Sequence, residues 1–514
     1  MCACQEDVMV APLHRRALLK QTAVLTAAIG LVGPAGSGRA QTKTPYTELS
    51  AAAAARALHA GDITAEAYAE ALLARAQTCR NLRAFIIQDP EALLVIARAA
   101  DQRRASGAPV GPLHGLPIAF KDNIDTVVMP TSGGTVALKD NVPPRTAPVA
   151  QRLFDAGALV AGKTNLHELA FGITNNNVTF GAVRNPYNPE MIAGGSSGGT
   201  AAAIAARLTP AGLGTDTGGS VRIPAALCGI VGLRPTVGRY STAGIVPISS
   251  TRDTAGPMGR TVEDVALLDG VITGAPLSLT PADLRGVRLG VPRAYFYAEL
   301  DPHVVQAMDT ALTMLTDLGA QLVEADIPQL ADLNTQVSFP VALFEVMREL
   351  PRYLATSASG ITLEEVIAKV ASPDVASVLK NQLGDKKVPE SVYRAAIETH
   401  RPALQAAYQA YFRDYDVAAM VFPTTPLPAR PLGHDETVRL NGKDVPTFLT
   451  YIRNTDPASN AGLPGLSVPI ALTADGLPVG LEFDGPAGSD RFLLQLGYAF
   501  EKAVSSLPPP PRCT

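Results

Sequence analysis

Apolar residues recur along this chain with two different periods. Between residues 46 and 110 the spacing is helical. Ala51–Leu73 is rich in Ala, Leu and Glu, and DITAE at Asp62–Glu66 supplies a break and a new cap. Glu91–Arg104 is a further helical run, which the Gly and Pro residues between Gly107 and Pro112 end. From 111 to about 270 the apolar runs shorten to strand length, as at Ile118–Phe120 and Ala158–Ala161. They alternate with Gly-rich turns and helical stretches such as Val149–Phe154 and Ala201–Arg207. Val287–Val291 and Gln321–Val323 read as strands around a helix over Val304–Leu318. Residues 331–412 return to helical texture and read as a cap or insertion over the core. Strand signals reappear at Val417–Phe422, Leu466–Ile470 and Leu477–Phe483, the last two as strand, turn and strand. The alternation predicts an α/β protein built on a central mixed sheet flanked by helices.

Composition narrows the function classes. The 514 residues are 47% hydrophobic and 18% charged, enough for an extensive core and too apolar for disorder. Aromatics are 5% and Trp is absent, which removes stacked-base and sugar platforms from consideration. The formal net charge is −4 and no long basic run occurs, so nucleic acid is not an expected partner. Seven scattered histidines contain no H-x-x-x-H pair, and no metal site or cofactor is expected.

The N-terminus has the order of an export signal. Twin arginines in His14–Lys20 precede a mildly apolar run, Thr22–Val32, and a small-residue tail ending at Gln41. The run is shorter than the roughly 20 residues needed to span a bilayer, so stable membrane insertion is not expected. Residues 1–40 are read as a twin-arginine signal peptide, and 41–514 as one domain with its core at about 111–270 and its cap at about 331–412. The expected location is periplasmic or secreted, or cytoplasmic if the N-terminus is not a signal. Beyond the signal the cysteines are Cys79, Cys228 and Cys513, an odd number without a framework, and Cys228 reads as a buried small hydrophobe.

Two short motifs mislead. Gly157–Thr164 satisfies G-x4-G-K-T, yet a helical stretch precedes it and an apolar strand lies between its glycines, where a phosphate cradle would need a loop. Gly195–Gly199 satisfies G-x-S-x-G, which would make Ser197 the nucleophile of an α/β-hydrolase esterase with His303, His400 or His434 as base. The preceding Asn185–Glu190 is a loop, however, where that elbow requires a strand.

Ser196 in GGSSGG and Ser220 at the end of GTDTGGS lie 24 residues apart, each embedded in glycine, and Lys121 lies far upstream in GLPIAFKD. Serine needs a partner to surrender its proton. A lysine serves if burial keeps it neutral, and Ile118, Ala119 and Phe120 offer that apolar backing.

Together these segments resemble the amidase signature. GGSSGG (194–199), GTDTGGSVRIP (214–224) and GIVGLRPT (229–236) occur in order, flanked by KDNI (121–124), GKTNLHE (162–168) and DTAGPM (253–258), and the resemblance covers most of 47–503. It implies the amidase signature fold with a helical cap. It also implies a triad of Ser220 as nucleophile, Ser196 as bridging serine and Lys121 as terminal base. An oxyanion hole from the backbone N–H groups of Thr217, Gly218, Gly219 and Ser220 follows as well. Ser197 is assigned as support by hydrogen bonding, and Asp216 and Arg222 as scaffold charges. Ala170, Phe171, Ile173 and Thr174 are implied for the acyl side, with 331–360 and 447–454 closing the other. The run Ile452–Gly465 is similar to bacterial indoleacetamide and mandelamide hydrolases. The expected reaction is cleavage of a hydrophobic or arylalkyl amide to carboxylate and ammonia or amine through an acyl-enzyme. Carbamate, anilide and ester cleavage stay open, as does an amidotransferase A-type subunit. A small-molecule amide is the expected partner, and a homodimer is left open.

Overall fold

A computed structural model describes residues 45–276, 278–358 and 360–511. The N-terminal signal reading lies outside the described residues. Among the described residues there are thirteen strands: β1 Phe85–Ile87, β2 Pro117–Lys121, β3 Leu159–Thr164, β4 Ala211–Asp216, β5 Val231–Arg234, β6 Thr254–Gly259, β7 Arg288–Val291, β8 Gln321–Glu324, β9 Ala419–Pro423, β10 Thr437–Leu440, β11 Lys443–Pro446, β12 Gly465–Leu472 and β13 Pro478–Asp484. Eleven form one sheet in the order β1-β3-β2-β4-β6-β5-β12-β13-β9-β7-β8, and β10 and β11 pair as a separate hairpin. The large sheet is mixed. β2 runs parallel to both β3 and β4, β7 runs parallel to β8 and β9, and antiparallel pairs join the two groups.

Local chemistry sets the helix boundaries in the first hundred residues. Ser50 accepts from Ala53 N to cap Ala51–Ala60, and Gly61 ends that helix in the left-handed region. Thr64 caps Ala65–Thr78, and Asp89 followed by Pro90 starts Pro90–Ala105. Ile118 and Phe120 of β2 pack into a core with these helices and with Pro148–Asp155 and Val262–Thr273. The Ala-rich helix Gly198–Ala205 belongs to a separate cluster with Cys228 and Met258. A third core joins β7, β9, β12 and β13 to the helices Pro302–Asp317 and Asp490–Ala503.

The cap is the long helix Leu330–Ser357 with Leu363–Lys369, Pro373–Leu383 and further turns to Asp414. It clusters with Leu169 and Val246, which anchors it beside the ends of β2 and β3. Cys79 is disulfide-bonded, whereas Cys228 is free and buried, in keeping with its reading as a small hydrophobe. No helix among the described residues is long and apolar enough to cross a membrane.

Candidate active site

The parallel strands β2 and β4 lie side by side and end at Lys121 and Asp216. In open α/β sheets the crevice beyond such carboxyl ends is where ligands bind. Ser196 and Ser197 immediately precede the helix Gly198–Ala205, and Ser220 lies two residues before Arg222–Cys228. Sheet and helices thus bring residues 75 and more positions apart to one point.

Lys121 and Ser196 are completely buried. Lys121 Nζ lies 2.8 Å from Ser196 Oγ, 2.8 Å from Thr215 Oγ1 and 3.4 Å from the Thr215 carbonyl oxygen. Asn123 Nδ2 donates to the same Thr215 Oγ1 at 3.0 Å. A neutral amine has two N–H bonds and one lone pair. With both N–H groups on the two Thr215 oxygens, the lone pair faces Ser196. Burial lowers the Lys121 pKa from 10.5 to about 7, and the nearby charges of Asp216 and Asp253 only partly oppose that shift. The arrangement therefore holds a base that is half neutral near pH 7, hydrogen-bonded to a serine.

Asp216 brackets the turn that carries Ser220. Its Oδ1 accepts from Gly219 N at 2.9 Å and its Oδ2 from Val221 N at 3.1 Å. Arg222 Nε lies 3.1 Å from Oδ2, and Arg234 Nη1 lies 2.9 Å from Oδ1, all fully buried. Burial alone would raise the Asp216 pKa, but the two guanidinium charges win and hold it far below the usual carboxylate range. Arg222 also pairs with Glu482 of β13 and donates to Ser459 Oγ at 2.7 Å. Gly219 has φ +136°, and a Cβ there would fall on the Thr455 hydroxyl, so the position requires glycine. The Gly219 N–H is taken by Asp216, whereas the amides of Gly218 and Ser220 find no acceptor among the described residues.

Ser197 sits apart from this exchange. Its Oγ donates to the Thr215 carbonyl at 3.2 Å and accepts from Thr215 N at 3.3 Å, and its N–H donates to the Ser220 carbonyl at 3.1 Å. The hydroxyl is buried against backbone in a helix cap, not presented at a strand–helix elbow. The G-K-T segment is likewise accounted for: 159–164 is strand β3, and Lys163 is buried 3.2 Å from Asp122.

Ser220 opens into a cavity of about 370 Å³. Ala170, Phe171 and Ile173 line it, whereas Thr174 does not; its hydroxyl instead donates at 2.7 Å to Asp435, which does. Phe339, Ala342 and Leu343 of the long cap helix and Phe448, Leu449 and Ile452 close the far side. Sequence reasoning missed Ile248, Arg252, Asp374, Val378 and Asp435 on the lining. Arg252 is buried and ties three elements together: it donates to the Thr217 carbonyl, the Ser338 carbonyl and Asp456 at 3.2, 2.9 and 2.6 Å. A larger cavity of about 940 Å³ is lined by Asp125, Arg145, Glu349 and Tyr353 among others but by neither serine, so size alone does not locate the chemistry. Among the described residues no group of three His, Cys, Asp or Glu side chains is placed to hold a metal.

The model of the family described as Amidase matches residues 67–494. The chain belongs to the amidase family. It is 49% identical over 436 residues to an indoleacetamide hydrolase of Agrobacterium vitis, covering 85% of this chain and 93% of that one. It is 40% identical over 467 residues to a mandelamide hydrolase of Pseudomonas putida, covering 88% of this chain and 90% of that one. The fold superposes on native peptide amidase from Stenotrophomonas maltophilia with a TM-score of 0.78 at 31% identity, covering 91% of this chain and all of that one. This amidase is an amide hydrolase with the mixed, helix-flanked sheet expected from its sequence.

Proposed function

We propose that the amidase hydrolyses hydrophobic, arylalkyl carboxylic amides through Lys121, Ser196 and Ser220. The carrying observation is the fully buried Lys121–Ser196 contact at 2.8 Å, together with Ser220 facing an apolar cavity. Neutral Lys121 accepts the Ser196 proton as Ser196 accepts that of Ser220. Ser220 Oγ then attacks the amide carbonyl carbon, and the oxyanion is held by the uncommitted amides of Gly218 and Ser220, that of Gly219 being taken by Asp216. The C–N bond breaks as the proton returns through Ser196 to the leaving nitrogen, which departs as ammonia or amine. Water, deprotonated along the same route, splits the acyl-enzyme to the carboxylate and frees Ser220.

The relatives' names, indoleacetamide and mandelamide hydrolase, support an aromatic acyl group, as do Phe171, Phe339 and Phe448 on the lining. The test is a panel of indole-3-acetamide, mandelamide, an anilide, a carbamate and an ester, run beside fluorophosphonate labelling. Primary aryl amides are expected to turn over fastest, with the label on Ser220. Label on Ser197, or turnover of esters alone, overturns the reading. We also propose folded export of the mature chain, which the twin arginines Arg15 and Arg16 support.

A further inference from the structure

The largely apolar Ser220 cavity carries three charged side chains, Arg252, Asp374 and Asp435, beside the uncharged polar residues Thr217, Ser220 and Ser338. Two are already occupied. Arg252 spends its donors on Thr217, Ser338 and Asp456. Asp435 accepts from Thr174 Oγ1 at 2.7 Å and, through its other oxygen, from Asn176 Nδ2 at 2.5 Å. Asp374 differs: its Oδ2 accepts from His167 Nε2 at 2.9 Å, and no side-chain donor among the described residues reaches its Oδ1.

The position of Asp374 is built rather than incidental. His167 is 1% exposed, and its ring fills the space directly behind Gly172, where a Cβ would overlap it; Gly172 is itself part of the cavity wall. His167 N donates to the Ser196 carbonyl at 3.2 Å, which ties the His167 backbone to that of Ser196. The neighbouring Glu168 carboxylate is buried and accepts from Ala371 N and Ser372 N at 3.1 and 2.7 Å, which clamps the start of the helix bearing Asp374. Since a carboxylate only accepts, His167 Nε2 carries the proton of that pair. Burial alone would raise the Asp374 pKa, but the His167 hydrogen bond and the amides of the first helical turn hold it below the usual carboxylate range. The result is a half-exposed carboxylate, positioned by His167 on the rim of the pocket, whose Oδ1 meets no side-chain donor among the described residues.

We propose that Asp374 Oδ1 accepts a hydrogen bond from an N–H or O–H donor on the acyl group, so that the pocket selects neutral aromatic amides carrying a ring donor over equally apolar ones without it. This rests on the reading that the Ser220 cavity holds the acyl group of an amide. The second carboxylate, Asp435, adds to the negative potential of the lining and disfavours anionic acyl groups.

The experiment compares indole-3-acetamide with 1-benzothiophene-3-acetamide, which has nearly the same shape with sulfur in place of N–H. Dissociation constants are measured by calorimetry on the Ser220→Ala protein, which binds without turnover. A hydrogen bond to a charged acceptor predicts about tenfold to a hundredfold tighter binding of the indole. Adding Asp374→Ala should bring the ratio close to one; adding Asp374→Asn, whose amide oxygen still accepts, should leave an intermediate ratio. A ratio near one before Asp374 is changed overturns the proposal. So does a ratio that survives Asp374→Ala, or failure of both compounds to bind. If Asp374→Ala loosens the cap and weakens both ligands, the ratio still decides. Hydrolysis of the two amides by the unaltered enzyme tests the parent reading separately, since loss of turnover leaves the binding ratio readable.

Discussion

Below neutral pH, kcat/KM should fall about tenfold per pH unit, because the proposed mechanism requires Lys121 to be neutral to take the Ser196 proton. An ordinary lysine, with pKa 10.5, is neutral in only about 0.03% of molecules at pH 7. Burial brings the Lys121 pKa to about 7, so about half is neutral there, a gain on the order of 1,500-fold in competent base. At pH 5 about 1% remains neutral. The assay is kcat/KM for a non-ionising amide between pH 5 and 9, which reports ionisations of the free enzyme. Lys121→Met should cost about two to four decades at pH 8 and leave a flat residual profile, since a general base contributes about 10²–10⁴-fold. Lys121→Arg should not rescue, because a guanidinium stays protonated. Thr215→Val removes an acceptor that favours the ammonium form, so its acidic limb should move to lower pH while kcat falls about tenfold or more. An acidic limb that persists in Lys121→Met, or one centred near pH 10, would refute the reasoning.

Other consequences concern the scaffold and the histidines. Asp216→Asn leaves Arg222 and Arg234 buried beside a neutral side chain and should cost about 3–5 kcal/mol in urea unfolding, along with most activity; unchanged stability would deny Asp216 its bracketing role. His400→Ala and His434→Ala should leave kcat/KM within about twofold, and a loss of several decades in either would revive a histidine-based mechanism. Arg15→Lys with Arg16→Lys should trap the protein in the cytoplasm, and the exported form should begin near Gln41; unchanged fractionation would count against export by this route.

The elements with the strongest periodicity were legible without coordinates. Val417–Phe422 became β9, Leu466–Ile470 and Leu477–Phe483 became β12 and β13, and 331–412 became the cap helices. β4 (AGLGTD) and β6 (TAGPMG) escaped because glycine and proline stand where branched apolar residues would announce a strand, although both lie fully buried in the sheet. The β10–β11 hairpin carried a readable signal, Asn441-Gly442 between two four-residue strands, and was overlooked. At the site, the glycine-framed serines and the lysine after an apolar run were visible because each motif is local. Arg252, Asp374 and Asp435 were not: their partners lie 204, 207 and 261 residues away, and an isolated charge in a helical or loop segment reads as solvated surface. Thr215 was hidden for another reason, since nothing in the sequence tells which hydroxyl beside a lysine faces its amine.

The same depressed pKa that suits Lys121 to the proposed role of base makes it a weak point in the fold. Between pH 10.5 and 7 the unfolded lysine binds a proton that the folded one resists. Stability from this group is therefore complete above about 10.5, declines as pH falls towards 7, and levels off once the folded lysine protonates as well. At pH 7 the deficit is about 4 kcal/mol on this shift. Lys121→Met removes the deficit and keeps the volume, but it strips Ser196 Oγ and Thr215 Oγ1 of a partner. Each lost contact costs about 1–3 kcal/mol if the oxygen finds no replacement, and Thr215 Oγ1 retains Asn123 as a donor. Because Thr215 Oγ1 keeps a donor, the two effects leave Lys121→Met about 1–3 kcal/mol more stable than the parent at pH 7, in a variant that lacks the proposed base. Reversible urea unfolding at pH 7 and pH 9 measures this, and any advantage of the variant should shrink by roughly 2–3 kcal/mol at the higher pH, where the parent's deficit is smaller. A variant that is several kcal/mol less stable at pH 7, or whose difference from the parent does not change with pH, would mean that the lysine is not held neutral against its own solvation, and the base assignment would fall with it.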